Sequence, residues 1–489
     1  MAYKYGERYQ LPLFADSIDN NIAEDDPVRA YDVFIDALDI EELGIKIDEN
    51  KVGNSEYYPI TMLKLLTYAY SYGWRSSRKI ERALHHNLSF IWLTGGLKPD
   101  FKTISEFRRK NKPVIKKVLK KCVRICIDLD LIEGNTLFVD GTKIRANASR
   151  NKSYTKEKYE KLILKIDERI DEILNECEDV DHEEKDRKSL VKMKKELVNK
   201  KELKIRIQSI LKEYEEEGHK TKDGVEKKKN LTDPDCKNMR SVQGSHASYN
   251  IQSVVDAKNR LIVNMAATSD PLDVDQFTQQ ITEAENIMES ECITACGDAG
   301  YSNVDNLEAI DSRGTTKVIV PSKKQALHNE EKPFNKNEFS YNDESNCYFC
   351  PMGKKLKFKG YQKDGKQLVY VIEDSRICRN CQHYGRCTSS KSGRRIIRLK
   401  NEKLKEKLEK QYEQQDSQEI YKERKCTVEH PFGHIKRNLG MIAFLLRGIE
   451  GAQAEISLSA TCFNITRMIT IFGSVQNFIN IIKKIKVKS

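Results

Sequence analysis

The hydrophobic pattern changes its period several times along the chain. Up to about residue 133 it is helical. Met62, Leu65, Leu66 and Ala69 recur at helical spacing, and Gly73 follows as a stop signal. A second helix is predicted after Ser76-Ser77, with Ile80, Ala83 and Leu84 on one face. Thr103 and Glu106 form a capping-box pattern, which predicts a third helix running through ISEFRRKN. Short helices joined by tight turns, the last bearing Arg108, Arg109 and Lys110, suit a helix-turn-helix DNA reader. A plain helical bundle with a charged face has the same pattern.

Strand signals begin at 135. Thr136-Leu137-Phe138-Val139 is a short β run predicted to end at Asp140-Gly141, with a polar segment (Lys143, Arg145, Asn147) behind it. Residues 249–268 read as a hairpin turning at Lys258-Asn259. A helix is predicted over about 273–290, then a strand at Ile293–Cys296 ending in Gly297-Asp298-Ala299-Gly300. The helix Asn303–Arg313 and the strand Lys317–Val320 follow. This order predicts an α/β chain built on a mixed sheet with a helical layer. The apolar stretch Ala454–Phe472, interrupted by Asn464 and Arg467, reads as a buried helix rather than a membrane span.

Two insertions interrupt the strand pattern. Between 155 and 229, Tyr159, Ile163, Ile166, Ile170, Ile173 and Cys177 form one stripe. Leu190, Met193 and Leu197 form another, as do Ile207, Leu211 and Tyr214. An antiparallel helical hairpin with a coiled-coil seam is predicted. Between 321 and about 400 the chain is irregular, basic and cysteine-bearing. Cys347-x2-Cys350 and Cys378-x2-Cys381 flank two short β runs and a turn at Asp364-Gly365, with His383 and Cys387 close behind. Paired thiolates at both ends of a hairpin are the arrangement of a zinc ribbon, and such a Zn²⁺ would be structural. Unligated thiols are the alternative. Cysteines 122, 126, 236, 292, 296, 426 and 462 lie among apolar neighbours and are expected to pack in cores.

Charge adds a partner. Lys and Arg outnumber Asp and Glu by 85 to 74 over 489 residues, a net +11 that favours a polyanion such as DNA. The start, MAYKYGERYQ, has no signal-peptide pattern. Thirteen cysteines without one point to reduced thiols and a cytoplasmic, nucleoid-associated protein. No Gly-rich Walker loop is present, so ATP use is not indicated.

Asp140 and Asp298 each follow a short apolar run and precede small residues, and Glu429 lies in a helical segment beside Pro431 and Gly433. Three carboxylates from separate elements can hold two Mg²⁺ or Mn²⁺ ions. Any one acid alone more commonly just starts a turn.

Together, LFVDGTKIRANASRNK, SHASYNIQSVVDAKNRLIV, ACGDAGYSNVDNL and VEHPFGHIKRNLG resemble, in order, the core motifs of bacterial insertion-sequence DDE transposases. The closest likeness is to the IS eleven-eighty-two family of the IS four/IS five-like superfamily. SYGWRSSRKIERALHHN to DFKTISEFRRKN is similar to that group's N-terminal helical domain. The resemblance implies an RNase H-like core and catalytic, metal-holding roles for Asp140, Asp298 and Glu429. Tyr421, Arg424 and Lys436 match the Tyr, Arg and Lys of the family's signature around the Glu. One departure exists: four residues separate Arg424 from Glu429 rather than three, and Lys425 stands at the shorter gap. Lys436 is expected to meet a DNA phosphate, with Lys143, Arg145, Arg108 and Arg109 as further DNA contacts.

The implied organisation has four parts. They are an N-terminal helical DNA-binding domain (1–133), a catalytic core (134–150, 231–320 and 420–475), the helical hairpin (151–230) and the basic cysteine-rich insertion (321–419). The implied function is binding of terminal inverted repeats and metal-dependent strand cleavage and transfer into target DNA. A homodimer or larger synaptic complex would hold the ends, without a membrane. A catalytically inactive, transposase-derived DNA-binding protein is the alternative.

Overall fold

Asp26 accepts a hydrogen bond from the Val28 amide and Pro27 fills the first turn, which makes Pro27–Asp36 a capped helix, α1. The computed structural model describes residues 17–45, 56–182, 187–221, 224–241, 244–327, 333–363 and 365–486. The opening MAYKYGERYQ, the side chains of Cys177 and Leu190, and Asp364 of the expected turn lie outside the described residues. The chain divides into two compact units, one of residues 1–273, 280–291 and 426–489, the other of 274–279 and 292–425.

The first unit is helical at its N-terminal end. α2 (Pro59–Ser71) buries Met62, Leu65, Leu66 and Ala69, and α3 (Ser77–His86) buries Ile80, Ala83 and Leu84. α4 (Leu88–Leu93), α5 (Phe101–Lys110) and α6 (Lys112–Asp128) follow. The expected capping box at Thr103 is corrected: Asp100 caps α5, its carboxylate accepting from the Thr103 amide at 2.7 Å. A side chain one residue before the first turn reaches that amide, whereas Thr103 is already inside the helix.

In this unit's sheet, the long strand β2 (Gly244–Asp256) pairs antiparallel with β1 (Thr136–Arg145) and with β3 (Ile262–Thr268). A helix buried on nearly all sides, α13 (Ile449–Phe472), packs against β3, α2 and α6. Asn464 sits in that apolar stretch because its amide bonds both the Ile262 amide (2.9 Å) and carbonyl (2.8 Å). Among the described residues no helix is long and apolar enough to cross a membrane. The helices α7 (Lys156–His182) and α8 (Arg187–Glu217) form a hairpin. Tyr159, Ile166 and Ile170 meet Ile207, Ile210 and Tyr214, and Arg169 pairs with Glu196 at 3.2 Å.

The helix α9 (Phe277–Met288) begins in the second unit and runs into the first; the second unit also contains the parallel pair β4 (Thr294–Cys296) and β5 (Lys317–Ile319), with the helix α10 (Val304–Asp311) between them in sequence. Where a two-stranded ribbon was expected, a five-stranded antiparallel sheet stands. Its strands are β6 (Ser340–Asn342), β7 (Cys347–Phe349), β8 (Lys355–Gln362), β9 (Gln367–Ile372) and β10 (Arg395–Leu399), in sequence order across the sheet. Tyr348, Leu356, Tyr370, Ile372 and Ile396 form its core with Phe339. α11 (Glu402–Tyr412) follows. The next helix, α12 (Gln415–Gly433), belongs to this unit as far as Lys425 and to the first unit beyond it.

Candidate active site

Leu137, Phe138 and Val139 of β1 are fully buried, and the strand becomes partly open at Asp140. The expectation of a strand that ends there is corrected. β1 continues to Arg145, pairing Lys143 with Asn250 and Arg145 with Ser248. The alternation of Lys143 and Arg145 with Ile144 was itself a strand period, and it puts Asp140 and Thr142 on one face, Gly141 and Lys143 on the other.

On the first face the Lys436 amine donates to the Thr142 hydroxyl. Burial holds the Lys436 pKa below the ordinary lysine range, and the Asp140 carboxylate works against that shift. Lys436 reaches this position through a helix containing Pro431, which has no amide hydrogen for the helical ladder, followed by a π-helical turn at His434–Asn438. The expected two α-turns from Glu429 are therefore one α-helical end and one wider turn.

On the second face Asp273 accepts from Lys143 Nζ (3.1 Å), Asn250 Nδ2 (2.8 Å) and Gln252 Nε2 (2.7 Å). These groups cover Gly141: a Cβ there would stand 2.6 Å from Gln252 Nε2 and 2.7 Å from Asp273 Oδ1. Glycine follows Asp140 because neighbouring side chains lie over it. Sequence reading missed Asp273. The acid-rich segment SDPLDVD was visible, but nothing in it says which acid turns back onto β1. Gly141, Thr142, Lys143, Arg145, Asp273 and Lys436 line a cleft of about 320 Å³.

Asp298 lies in the second unit, just beyond β4. Its carboxylate caps a short 3₁₀ turn by accepting from the Gly300 amide at 2.8 Å. Gly297 before it is hemmed in, since a Cβ would meet the Phe277 ring at 2.9 Å and the Tyr301 ring at 3.2 Å. Tyr421 meets Tyr412 edge-on at 5.2 Å, and the Arg424 guanidinium lies 5.6 Å from the Tyr421 ring centre. Burial pushes the Cys296 thiol up to about 12; the Arg424 guanidinium opposes the shift and Asp298 adds to it. Arg424 and Asp298 thus share one electrostatic neighbourhood. Glu429 is exposed on the first unit's part of α12.

Among the described residues, no three His, Cys, Asp or Glu side chains are gathered closely enough to hold a metal ion. The cysteines expected as one set are separated. Cys350, Cys378, Cys381 and Cys387 line one cavity, whereas Cys347 is buried in β7 with its sulfur 3.0 Å from the Ser345 hydroxyl. In a strand, residues 347 and 348 face opposite ways, and Tyr348 takes the core side. Of the cysteines expected in cores, 122, 126, 236, 292, 296 and 462 are buried and Cys426 is exposed.

Residues 349–469 match the family model described as a transposase DDE domain, and residues 16–110 match the one described as a transposase domain (DUF772). These findings support a DNA transposase. The DDE match includes Tyr421, Arg424, Glu429 and Lys436 and does not reach Asp140 or Asp298. No curated protein sequence matches. The solved synaptic complex of piggyBac transposase with hairpin DNA is similar at a TM-score of 0.31 and 9% identity, over 95% of this chain and 80% of that one. At that level of similarity neither fold nor activity carries over.

Within the matched residues 16–110, Arg108 faces inward, contrary to its expected DNA contact. Its guanidinium donates to the Arg75 carbonyl (2.7 Å), the Tyr70 hydroxyl (3.3 Å) and Ser77 Oγ (3.4 Å). Four-residue periodicity puts Arg108 on the same face as buried Ile104. Arg109 is exposed, 3.5 Å from Glu106.

Proposed function

We propose that this transposase cuts and joins the ends of an insertion sequence, with Asp140, Asp298 and Glu429 as its catalytic carboxylates. The observation that carries the reading is the first face of β1, where the partly buried Lys436 amine donates to Thr142, two positions along the strand from the partly buried carboxylate of Asp140. A phosphodiester entering there meets a cation already desolvated, whose attraction for a phosphate oxygen is stronger than in water.

The donor chemistry fits hard divalent ions, Mg²⁺ or Mn²⁺, because all three groups are carboxylates and each is at least partly exposed. Held by Asp140, Asp298 and Glu429, two such ions would supply activation of water or a 3′-hydroxyl and stabilisation of the leaving oxygen. Asp273 holds Lys143 at the cleft wall, and Arg145 lines the same cleft. Arg424, near Asp298, and exposed Arg109 are further phosphate contacts.

The same reading takes the antiparallel β1–β3 and the parallel β4 and β5 as strands of an RNase H-like sheet. It takes the N-terminal helices as the reader of terminal inverted repeats, and a dimer or larger assembly as the holder of two ends. The IS eleven-eighty-two family is the proposed branch. The test is strand cleavage of duplexes carrying the element's ends, with Mg²⁺ or Mn²⁺. Asp140→Asn, Asp298→Asn and Glu429→Gln should each abolish cutting while DNA binding persists. Undiminished cutting by any of them removes that residue from the proposal. Binding without cutting by the unaltered chain favours a non-catalytic DNA-binding protein.

A further inference from the structure

We propose that Cys350, Cys378, Cys381 and Cys387 bind one zinc ion that fastens the small sheet of the second unit. All four line a single cavity of about 510 Å³ together with Phe334 and Arg394. Cys350, Cys378 and Cys387 all pack against the buried core of the small sheet.

Two backbone amides are already aimed at sulfur. The Lys354 amide donates to Cys350 Sγ at 3.3 Å, and the Arg394 amide donates to Cys378 Sγ at 3.4 Å. Each donor directly follows a left-handed glycine, Gly353 (φ +69°) or Gly393 (φ +79°). The two halves of the cluster therefore use the same local device. A Cβ on Gly393 would lie 2.4 Å from Ile372 Cγ2, so the chain passes the Cys378 sulfur only as glycine. Amide donors favour the thiolate over the thiol, and thiolate is the form that ligates metal.

Charge fits as well. Four thiolates around Zn²⁺ leave two net negative charges. Arg394 is anchored beside them by hydrogen bonds to the Cys387 and Phe334 carbonyls, both at 2.8 Å. Sulfur donors in a set of four select zinc among the common structural metals. The sheet has reason to need it, because a core of six buried side chains is small for a module of this length. Among the described residues no three such groups stand at ligand spacing, so binding requires the sulfurs to draw closer together. Cys347 takes no part, since it faces the other side of β7.

The test uses the full chain purified without chelator from zinc-supplemented cells. Elemental analysis should find about one zinc per chain. Cobalt(II) exchanged into the site should give the intense thiolate charge-transfer and visible bands of a tetrahedral sulfur site. Cys378→Ser and Cys381→Ser should lose the metal, and Cys347→Ala should keep it. Cys381→His, which restores a ligand, should keep the metal with an altered cobalt spectrum, which separates ligand loss from misfolding. Absence of zinc and of the cobalt bands in the unaltered chain overturns the proposal. So does metal retention by a Cys378→Ser/Cys381→Ser double variant, or metal loss from Cys347→Ala. None of these readouts depends on DNA cleavage, so the zinc proposal and the proposed function can fail separately.

Discussion

The Lys436 amine donates to Thr142, two positions along β1 from Asp140, so an ammonium drawn from a distant helix stands beside a carboxylate on one strand face. Burial makes that ammonium costly, and the neighbouring carboxylate offsets part of the cost.

Lys436→Met should therefore slow strand cleavage about 10- to 100-fold, the worth of a hydrogen bond to a charged group, with little loss of stability. The pH dependence has a definite sign. A lowered pKa means the folded chain releases this proton below the usual lysine value of 10.5, so stability from this group rises with pH through that window while the charge is lost. Cleavage should accordingly fall on the alkaline side at a pH below 10.5. In Lys436→Arg the alkaline limb should move upward or vanish. An alkaline limb identical in the unaltered chain and the arginine variant excludes Lys436 as its source.

Gly141→Ala should destabilise the first unit by about 1–3 kcal/mol through overpacking against Gln252 and Asp273. A lowered thermal midpoint is the expected result, and pairing the change with Gln252→Ala should recover part of it. An unchanged midpoint would mean that the side chains over Gly141 move aside without cost.

Glu455 is fully buried and accepts from the Leu445 amide (2.8 Å) and the Leu446 amide (2.5 Å), with Arg75 3.5 Å away. Glu455→Ala should cost about 3–5 kcal/mol, the penalty for leaving a buried partner unmatched. Burial raises this carboxyl above 4.5, against the pull of Arg108, the Leu446 amide and Arg75. The folded chain thus keeps the proton longer than the unfolded chain. The associated stability is full below 4.5 and declines as pH rises through the raised value. Glu455→Gln should flatten that slope in thermal melts followed across pH.

Arg108 and Arg109, adjacent in sequence, should separate cleanly. Arg108→Ala is expected to cost about 1–3 kcal/mol because it strips partners from the Arg75 carbonyl and Tyr70. Arg109→Ala should leave the melt unchanged and lower the salt dependence of DNA binding by about one unit of slope. The reverse pattern would return Arg108 to the DNA surface.

Much was readable from the residues themselves. Period-3.6 stripes gave α2, α3 and the α7–α8 hairpin, because side-chain spacing along a helix is a local property. Period-two runs and a turn gave β2 and β3 for the same reason. Asn464 and Arg467, which looked like interruptions, are polar side chains that bond the β3 end and the turn before it, at Ile262 and Asn259.

What the sequence determined was the class of element at each stretch and the identity of the chemical groups on offer: strand-borne acids, basic helices, paired thiols. Tertiary structure alone decided which way each group turns. It buried Arg108 and exposed Arg109, laid Asp273 over Gly141, brought Lys436 to Thr142, and set Cys347 apart from the four cysteines that share a cavity. Those outcomes depend on contacts between residues far apart in the chain. Local spacing fixes a side chain's face on its own helix or strand but not what the fold packs against that face.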